Sequence, residues 1–190
     1  MTEDQRAALI ERYRYINVDY LWWDATYDDF AAICKILGID LSKNEPSFSG
    51  FWSQGDGASF TGHFSPFGIE KAPALMREHA PKDEELHRIA DKLCEINLIY
   101  FAKFYGTITR SGNYCHSNTM GVEIHMSDEE DDYWPDEVFS IVEETFLDLM
   151  RDLADWLYET LEAEYDYLTS DEVVWNAIEA NELDEPEEEE

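Results

Sequence analysis

The sequence predicts an α+β fold: an antiparallel sheet of two β-hairpins with helices on one face, followed by a long acidic C-terminal helix. Three observations carry this expectation. Residues 47–64 and 101–126 break into short strand-like runs separated by turn residues. Between and around them, apolar residues recur at helical spacing. The last third reads as one long helix in which an apolar stripe runs beside a row of carboxylates.

Composition sets the outer limits. The chain has 190 residues, which suits one domain or one domain with an appendage. Hydrophobic residues at 44% and aromatics at 14% supply a core, so the net charge of −31 does not imply disorder throughout. The expected division is a scaffold domain over 1–127, an acidic linker and helices packed on it over 128–181, and a disordered acidic tail over 182–190. No apolar run approaches about 18 residues, so no membrane span is expected. The N-terminus, Met-Thr-Glu-Asp-Gln, has no basic segment leading into an apolar one, so no secretory signal is expected. Cys34, Cys94 and Cys115 are scattered and lack zinc spacing, which fits reduced thiols in a cytoplasm.

Taken in order, Thr2 and Gln5 form a capping box for a first helix to about Tyr15. A second helix is expected from Asp19 to Leu37, with Trp23, Tyr27, Phe30, Ala31, Cys34 and Leu37 inward and Gly38 ending it. Ser47–Ser53 and Ala58–Phe64 form a hairpin around Gln54-Gly55-Asp56-Gly57, whose glycines permit positive φ. Gly50 and Gly62 within those runs suggest a bulge or close backbone approach. After a loop marked by Pro66 and Pro73 comes a short helix over 74–79. Pro81 and Asp83 then open a helix to about Tyr100, with Leu86, Ile89, Leu93, Ile96 and Tyr100 inward and Glu84 paired with Arg88. Phe101–Arg110 and Tyr114–Met126 form the second hairpin around Ser111-Gly112-Asn113, with a further turn near Asn118. Asp128–Asp132 is an acidic linker, not a calcium loop, because Tyr133 stands where such a loop needs Gly.

Pro135 suits the first position of the long helix, residues 135–168, and Asp136 and Glu137 complement its positive end. Val138, Val142, Phe146, Leu149, Leu153, Leu157, Leu161 and Leu168 form its apolar stripe. Glu144, Asp148, Asp152, Asp155, Glu159, Glu162 and Asp166 share another face. Thr169 and Glu172 are expected to cap a last short helix to about Ala180.

The acidity is local. Residues 128–190 hold 26 acids and one base, Arg151, against 18 acids and 12 bases in residues 1–127. A salt-loving host would spread acids along the whole chain. Like charges three or four apart on a helix each cost about 0.2–0.5 kcal/mol, and only Arg151 lies in that third to relieve them. Seven charges over roughly 33 Å of helix give about one per 5 Å, against one per ~1.7 Å in duplex DNA. An imitation of nucleic acid therefore needs Asp128, Glu129, Glu130, Asp131 and Asp132, the tail acids, or a homodimer.

The run F-S-G-F-W-S-Q-G-D-G-A-S-F-T-G, Phe48 to Gly62, resembles the signature of a family of small phage and prophage proteins. Tyr20-Leu21-Trp22-Trp23-Asp24, Ile36-Leu37-Gly38-Ile39 and Tyr114-Cys115-His116-Ser117 are similar to it too. The resemblance spans about residues 10–125 and leaves out the acidic third. Members are commonly labelled hypothetical, or antitoxins of toxin–antitoxin systems. The resemblance implies a phage or prophage origin and a protein that disarms a host or plasmid system.

These observations point to an inhibitor of a basic, nucleic-acid-handling host protein (a CRISPR effector, a restriction nuclease or a toxin), acting in the bacterial cytoplasm through a DNA-mimicking acidic surface. The partner-binding residues would be the seven helix carboxylates with Asp128–Asp132. The alternative is an antitoxin neutralising a basic toxin. A third reading is a small acid–base or metal enzyme using Asp56, His63, His116 and His125 with Glu123 and Cys115 nearby, but no nucleophile, Walker or zinc pattern supports it. The Gln54–Gly57 loop is either functional or only the turn its hairpin needs. It is no phosphate loop, since it lacks Lys and Asp56 would repel phosphate. No cofactor and no resident metal are expected. Direct nucleic-acid binding is not expected, since neither half is net basic and no Lys/Arg cluster is present to neutralise phosphates.

Overall fold

Four short strands carry the main sheet, and they are not consecutive in the chain. The computed structural model describes residues 1–18, 20–99, 104–126 and 135–183. In order, the elements are α1 (Glu3–Arg12), α2 (Asp24–Ile36), β1 (Ile39–Leu41), β2 (Ser47–Phe48), β3 (Ala58–Ser59), β4 (Gly62–Phe64), α3 (Ala72–His79), α4 (Glu84–Ile99), β5 (Phe104–Arg110), β6 (Met120–Met126), α5 (Asp136–Leu168) and α6 (Asp171–Ala180). The sheet order is β1-β4-β5-β6, with β2-β3 as a separate two-stranded ribbon. Every pairing is antiparallel. The fold class is α+β, as the sequence predicts. Among the described residues no helix is long and apolar enough to cross a membrane.

The chain divides into two compact units, Tyr27–Glu159, and Met1–Thr26 with Thr160–Glu190. In the larger unit the strands alternate with period two. Ile39, Phe64, Phe104, Ile108 and Ile124 are buried on one side, while Asp40, His63, Glu123 and His125 are exposed on the other. The buried side receives α5 through Phe146, whose ring lies 5.1 Å from Phe64 and 5.3 Å from Phe104. Phe30 of α2 meets Phe60 at 5.3 Å and Trp156 of α5 at 6.5 Å. The predicted stripe is buried from Val142 through Phe146, Leu149, Leu153 and Leu157, joined by Met150 and Ala154. Leu161 is also buried, whereas Val138 and Leu168 are half-buried. Free Cys34 and Cys94 are buried, and burial pushes both thiols up.

Several local expectations are corrected. The second half of the first hairpin is not one strand: it pairs with β2 only at Ala58–Ser59, then crosses to the other sheet as β4. Gly62 makes the crossing feasible, since a Cβ there would lie 2.5 Å from the Asp40 carbonyl oxygen. That close approach also pairs β1, Ile39–Leu41, a strand the sequence reading does not predict after the helix stop at Gly38. α2 starts at Asp24, not Asp19, and buries Ile33 while leaving Ala31 exposed. Its stripe is 30, 33, 34 and 37, the spacing of a single helix face. Tyr114–Ser117 is not strand: β6 begins at Met120, after a 3-10 turn over Ser117–Thr119 near the predicted turn at Asn118. Tyr100, Phe101, Asp19 and the acidic tail from residue 184 lie outside the described residues.

Asp83 ties two helices together. One carboxylate oxygen accepts from Leu86 N in the first turn of α4 at 2.9 Å. The other accepts from Trp156 Nε1 of α5 at 2.8 Å. Asp83→Ala removes a cap and leaves the indole N–H without that acceptor. We expect a loss of about 2 kcal/mol, read as a lowered midpoint in thermal or urea unfolding.

The smaller unit is built on the predicted capping box. Gln5 N donates to Thr2 Oγ1 at 3.2 Å and Thr2 N to Gln5 Oε1 at 2.8 Å. Ile10 of α1 packs with Val174, Trp175 and Ile178 of α6. Arg14 pairs with Asp171 and donates to the Thr169 carbonyl at 3.0 Å. The capping box expected at Thr169 and Glu172 does not form. Ser170 occupies the cap position, and Thr169 Oγ1 instead donates back to the Tyr165 carbonyl at 2.8 Å.

Candidate functional site

The acidic face of α5 forms because its opposite face is buried: the helix cannot rotate without exposing Phe146, Leu149 and Leu153. In the larger unit, Glu144, Asp148, Asp155 and Glu159 are exposed, and in the smaller unit Glu162 and Asp166 are exposed. Asp152 is the exception. It pairs with Arg88 of α4, which also holds Glu85. Those two carboxylates, Glu85 first, raise the guanidinium pKa, and Arg88 holds the Glu85 carboxyl below its usual range. The expected Glu84–Arg88 pair is thus replaced by contacts to Glu85 and Asp152.

Arg151, expected to relieve the stripe, shares a groove with Asp148, Asp152 and Asp155. It is half-buried, and its Nη2 donates to the Met120 carbonyl at 3.4 Å. Its Nε is buried without a hydrogen-bond partner among the described residues. Further relief comes from α4: Arg88 and Lys92 line that groove of about 530 Å³ together with Arg151, Asp148, Asp152 and Asp155. Lys92 is itself paired with Glu95 at 2.7 Å. Sequence reasoning paired Arg88 with Glu84 and missed Asp152, which lies 64 positions away. Asp128, Glu129, Glu130, Asp131 and Asp132 lie outside the described residues.

The signature loop is the second feature of the larger unit. Asp56 Oδ2 accepts from Ser53 N at 2.7 Å and Trp52 N at 3.1 Å. Asp56 N donates to the Ser53 carbonyl at 3.1 Å, and Gly55 sits at φ 92°. Asp56 therefore closes the turn, and Gln54 is left exposed. Ser49 N donates to the Gly57 carbonyl at 3.0 Å, and Gly57 N donates to Ser49 Oγ at 3.3 Å. A Cβ on Gly57 would lie 3.0 Å from both the Cys115 carbonyl oxygen and His116 Cα. The fold thus brings two distant stretches, Phe48–Gly62 and Tyr114–Ser117, into contact.

Behind the loop, Arg110 Nη1 donates to buried Ser59 Oγ at 3.1 Å and to Cys115 Sγ at 3.7 Å, while Nη2 pairs with Glu45 at 3.5 Å. Burial chiefly, with Cys115 and Glu45 adding, pushes the Tyr27 hydroxyl pKa up. In front of it, Trp52 and Tyr114 are 76% and 68% exposed. Sequence reasoning placed both on strands and singled out neither as a contact residue.

The residues of the enzyme reading do not converge on one centre. His63 lies in a row across the outer sheet face with Asp40, Thr107 and Glu123, and His125 is paired in register with Tyr105. His116 belongs to the loop region, where its Nδ1 accepts from Asn118 N at 3.0 Å. Among the described residues no three His, Cys, Asp or Glu side chains are grouped to hold a metal ion.

Fold and site together define an α+β protein with a carboxylate-lined helix and a glycine-rich loop braced on a second segment. The chain belongs to the family described as Domain of unknown function (DUF8835), whose family model matches residues 22–171. That span takes in the loop, the Tyr114–Ser117 segment and α5. No curated protein and no solved structure matches the chain.

Proposed function

We propose that this chain is a phage-type inhibitor that works in the bacterial cytoplasm, occluding the nucleic-acid groove of a basic host defence protein with a DNA-mimicking acidic surface. The observation that supports the reading is the outer side of α5. Glu144, Asp148, Asp155 and Glu159 are exposed there, while Arg151, the one base in residues 135–183, is half-buried and donates to the Met120 carbonyl. A groove that binds phosphates through Lys and Arg presents the complementary field. With Asp152 paired to Arg88, the other four carboxylates span about 22 Å of helix, sparser than duplex phosphates. The helix is therefore an acidic plug that draws on the other acids of the last third rather than a charge-for-charge copy of DNA.

Association of this kind is fast and weakens with salt, because exposed charges are screened beyond about 8 Å at physiological ionic strength. The test is capture from bacterial lysate on the tagged full chain at low and high salt, followed by a cleavage assay on the captured protein. A restriction or CRISPR nuclease that elutes with salt and is inhibited by the chain is the expected result. A small basic toxin would establish the antitoxin alternative instead. Recovery of ribosomal and other general basic proteins alone would overturn both.

A further inference from the structure

We infer that the signature loop supplies a second contact to the same partner and that it takes arginine side chains on the faces of Trp52 and Tyr114. This rests on the reading of α5 as a surface for a cationic protein. The two rings come from separate segments that meet at the loop. Trp52 leads into the loop, and Tyr114 Cδ1 stands 3.9 Å from where a Cβ on Gly55 would be. Singly exposed aromatics are ordinary, but these two flank a loop whose shape is fixed beforehand. The Asp56 carboxylate and the Ser49–Gly57 pairing hold the turn, and Gly57 seats it against Cys115 and His116. Rigid Trp and Tyr side chains at low entropic cost are what contact hot spots are made of.

The patch is continuous with the acidic helix. Phe51 lies 6.0 Å from Trp52 and 5.4 Å from Tyr158 of α5. The Tyr158 hydroxyl donates to the Gly50 carbonyl at 3.1 Å. On α5 the exposed carboxylates Asp155 and Glu159 flank Tyr158 in sequence. Ring faces are negative, and a chain of net charge −31 surrounds them with a negative field, so the complementary group is a cation. Guanidinium fits better than ammonium. It is planar and weakly hydrated, and it can stack on a ring while its edge donates to a carboxylate.

The probes are nona-arginine and nona-lysine, equal in charge, titrated into the full chain by calorimetry at moderate salt. Nona-arginine should bind about tenfold more tightly than nona-lysine. Trp52→Leu with Tyr114→Leu keeps apolar side chains but removes the ring faces, and should reduce that gap to about twofold or less with little change for nona-lysine. Trp52→Phe with Tyr114→Phe restores ring faces and should keep most of the gap. No gap in the native chain, or a gap that survives in the leucine variant, would overturn the inference. Neutralising the exposed α5 carboxylates is the control. If both peptides bind that variant as well as the native chain, the acidic-helix reading fails, while the arginine gap still decides the loop.

Discussion

Phe146→Ala is expected to destabilise the larger unit by about 3–5 kcal/mol, the cost of emptying a phenyl site in a packed core. Phe146 is fully buried and sits where α5 meets the sheet, against Phe64 and Phe104. Its seat depends on Gly106 of β5, where an added Cβ would lie 2.5 Å from the Phe146 ring carbon Cε1. Gly106→Ala alone should therefore cost about 1–3 kcal/mol by overpacking. The two changes together should cost less than their sum, because the new methyl enters the space the ring has left. We expect a coupling of about 1–3 kcal/mol in a double-mutant cycle by urea unfolding. Strict additivity would mean that the helix shifts on the sheet when the ring is lost. Most domains are stable by only about 5–15 kcal/mol, so the single change to alanine removes a large share.

This contact shows where the sequence is legible and where it stops. The periodicity that buries Val142, Phe146, Leu149 and Leu153 is visible in the chain, and so is the α5 face that must then be wet. The same is true of the Thr2–Gln5 capping box and of the β5–β6 hairpin, whose signals lie within a few residues of each other. What escapes is set by distant partners. Nothing near Gly62 says that it will leave β3 to pass the Asp40 carbonyl, or that Gly106 makes room for a ring forty residues on. At the candidate site, exposure of most of the carboxylates is readable from helix geometry, but the exception, Asp152, is decided by Arg88 on another helix. Likewise the sequence places Trp52 on a hairpin strand without saying which way it faces. Only the packing of Phe51 on Tyr158, and of Gly57 on Cys115, places it at the surface.

The second large effect separates function from folding by sign. Replacing Glu144, Asp148, Asp155, Glu159, Glu162 and Asp166 by Gln or Asn removes the exposed charges and keeps their shapes. Asp152 is left alone, so its pair with Arg88 stays. Each like-charged pair three or four apart destabilises a helix by about 0.2–0.5 kcal/mol. Relief of these repulsions should raise stability by roughly 1–2 kcal/mol, with a higher melting temperature at low salt and a smaller gain at high salt. The same variant should associate with the captured host protein about 10- to 1000-fold more slowly at low salt, because steering by the field is lost. A stripe that merely solvates the helix would show no loss of association. A stripe that stabilises the fold would show a lower melting temperature. Only a surface kept for a cationic partner gives a more stable protein that binds worse, since the repulsion along α5 is then a cost carried by the free chain and relieved when the partner's Lys and Arg dock against it.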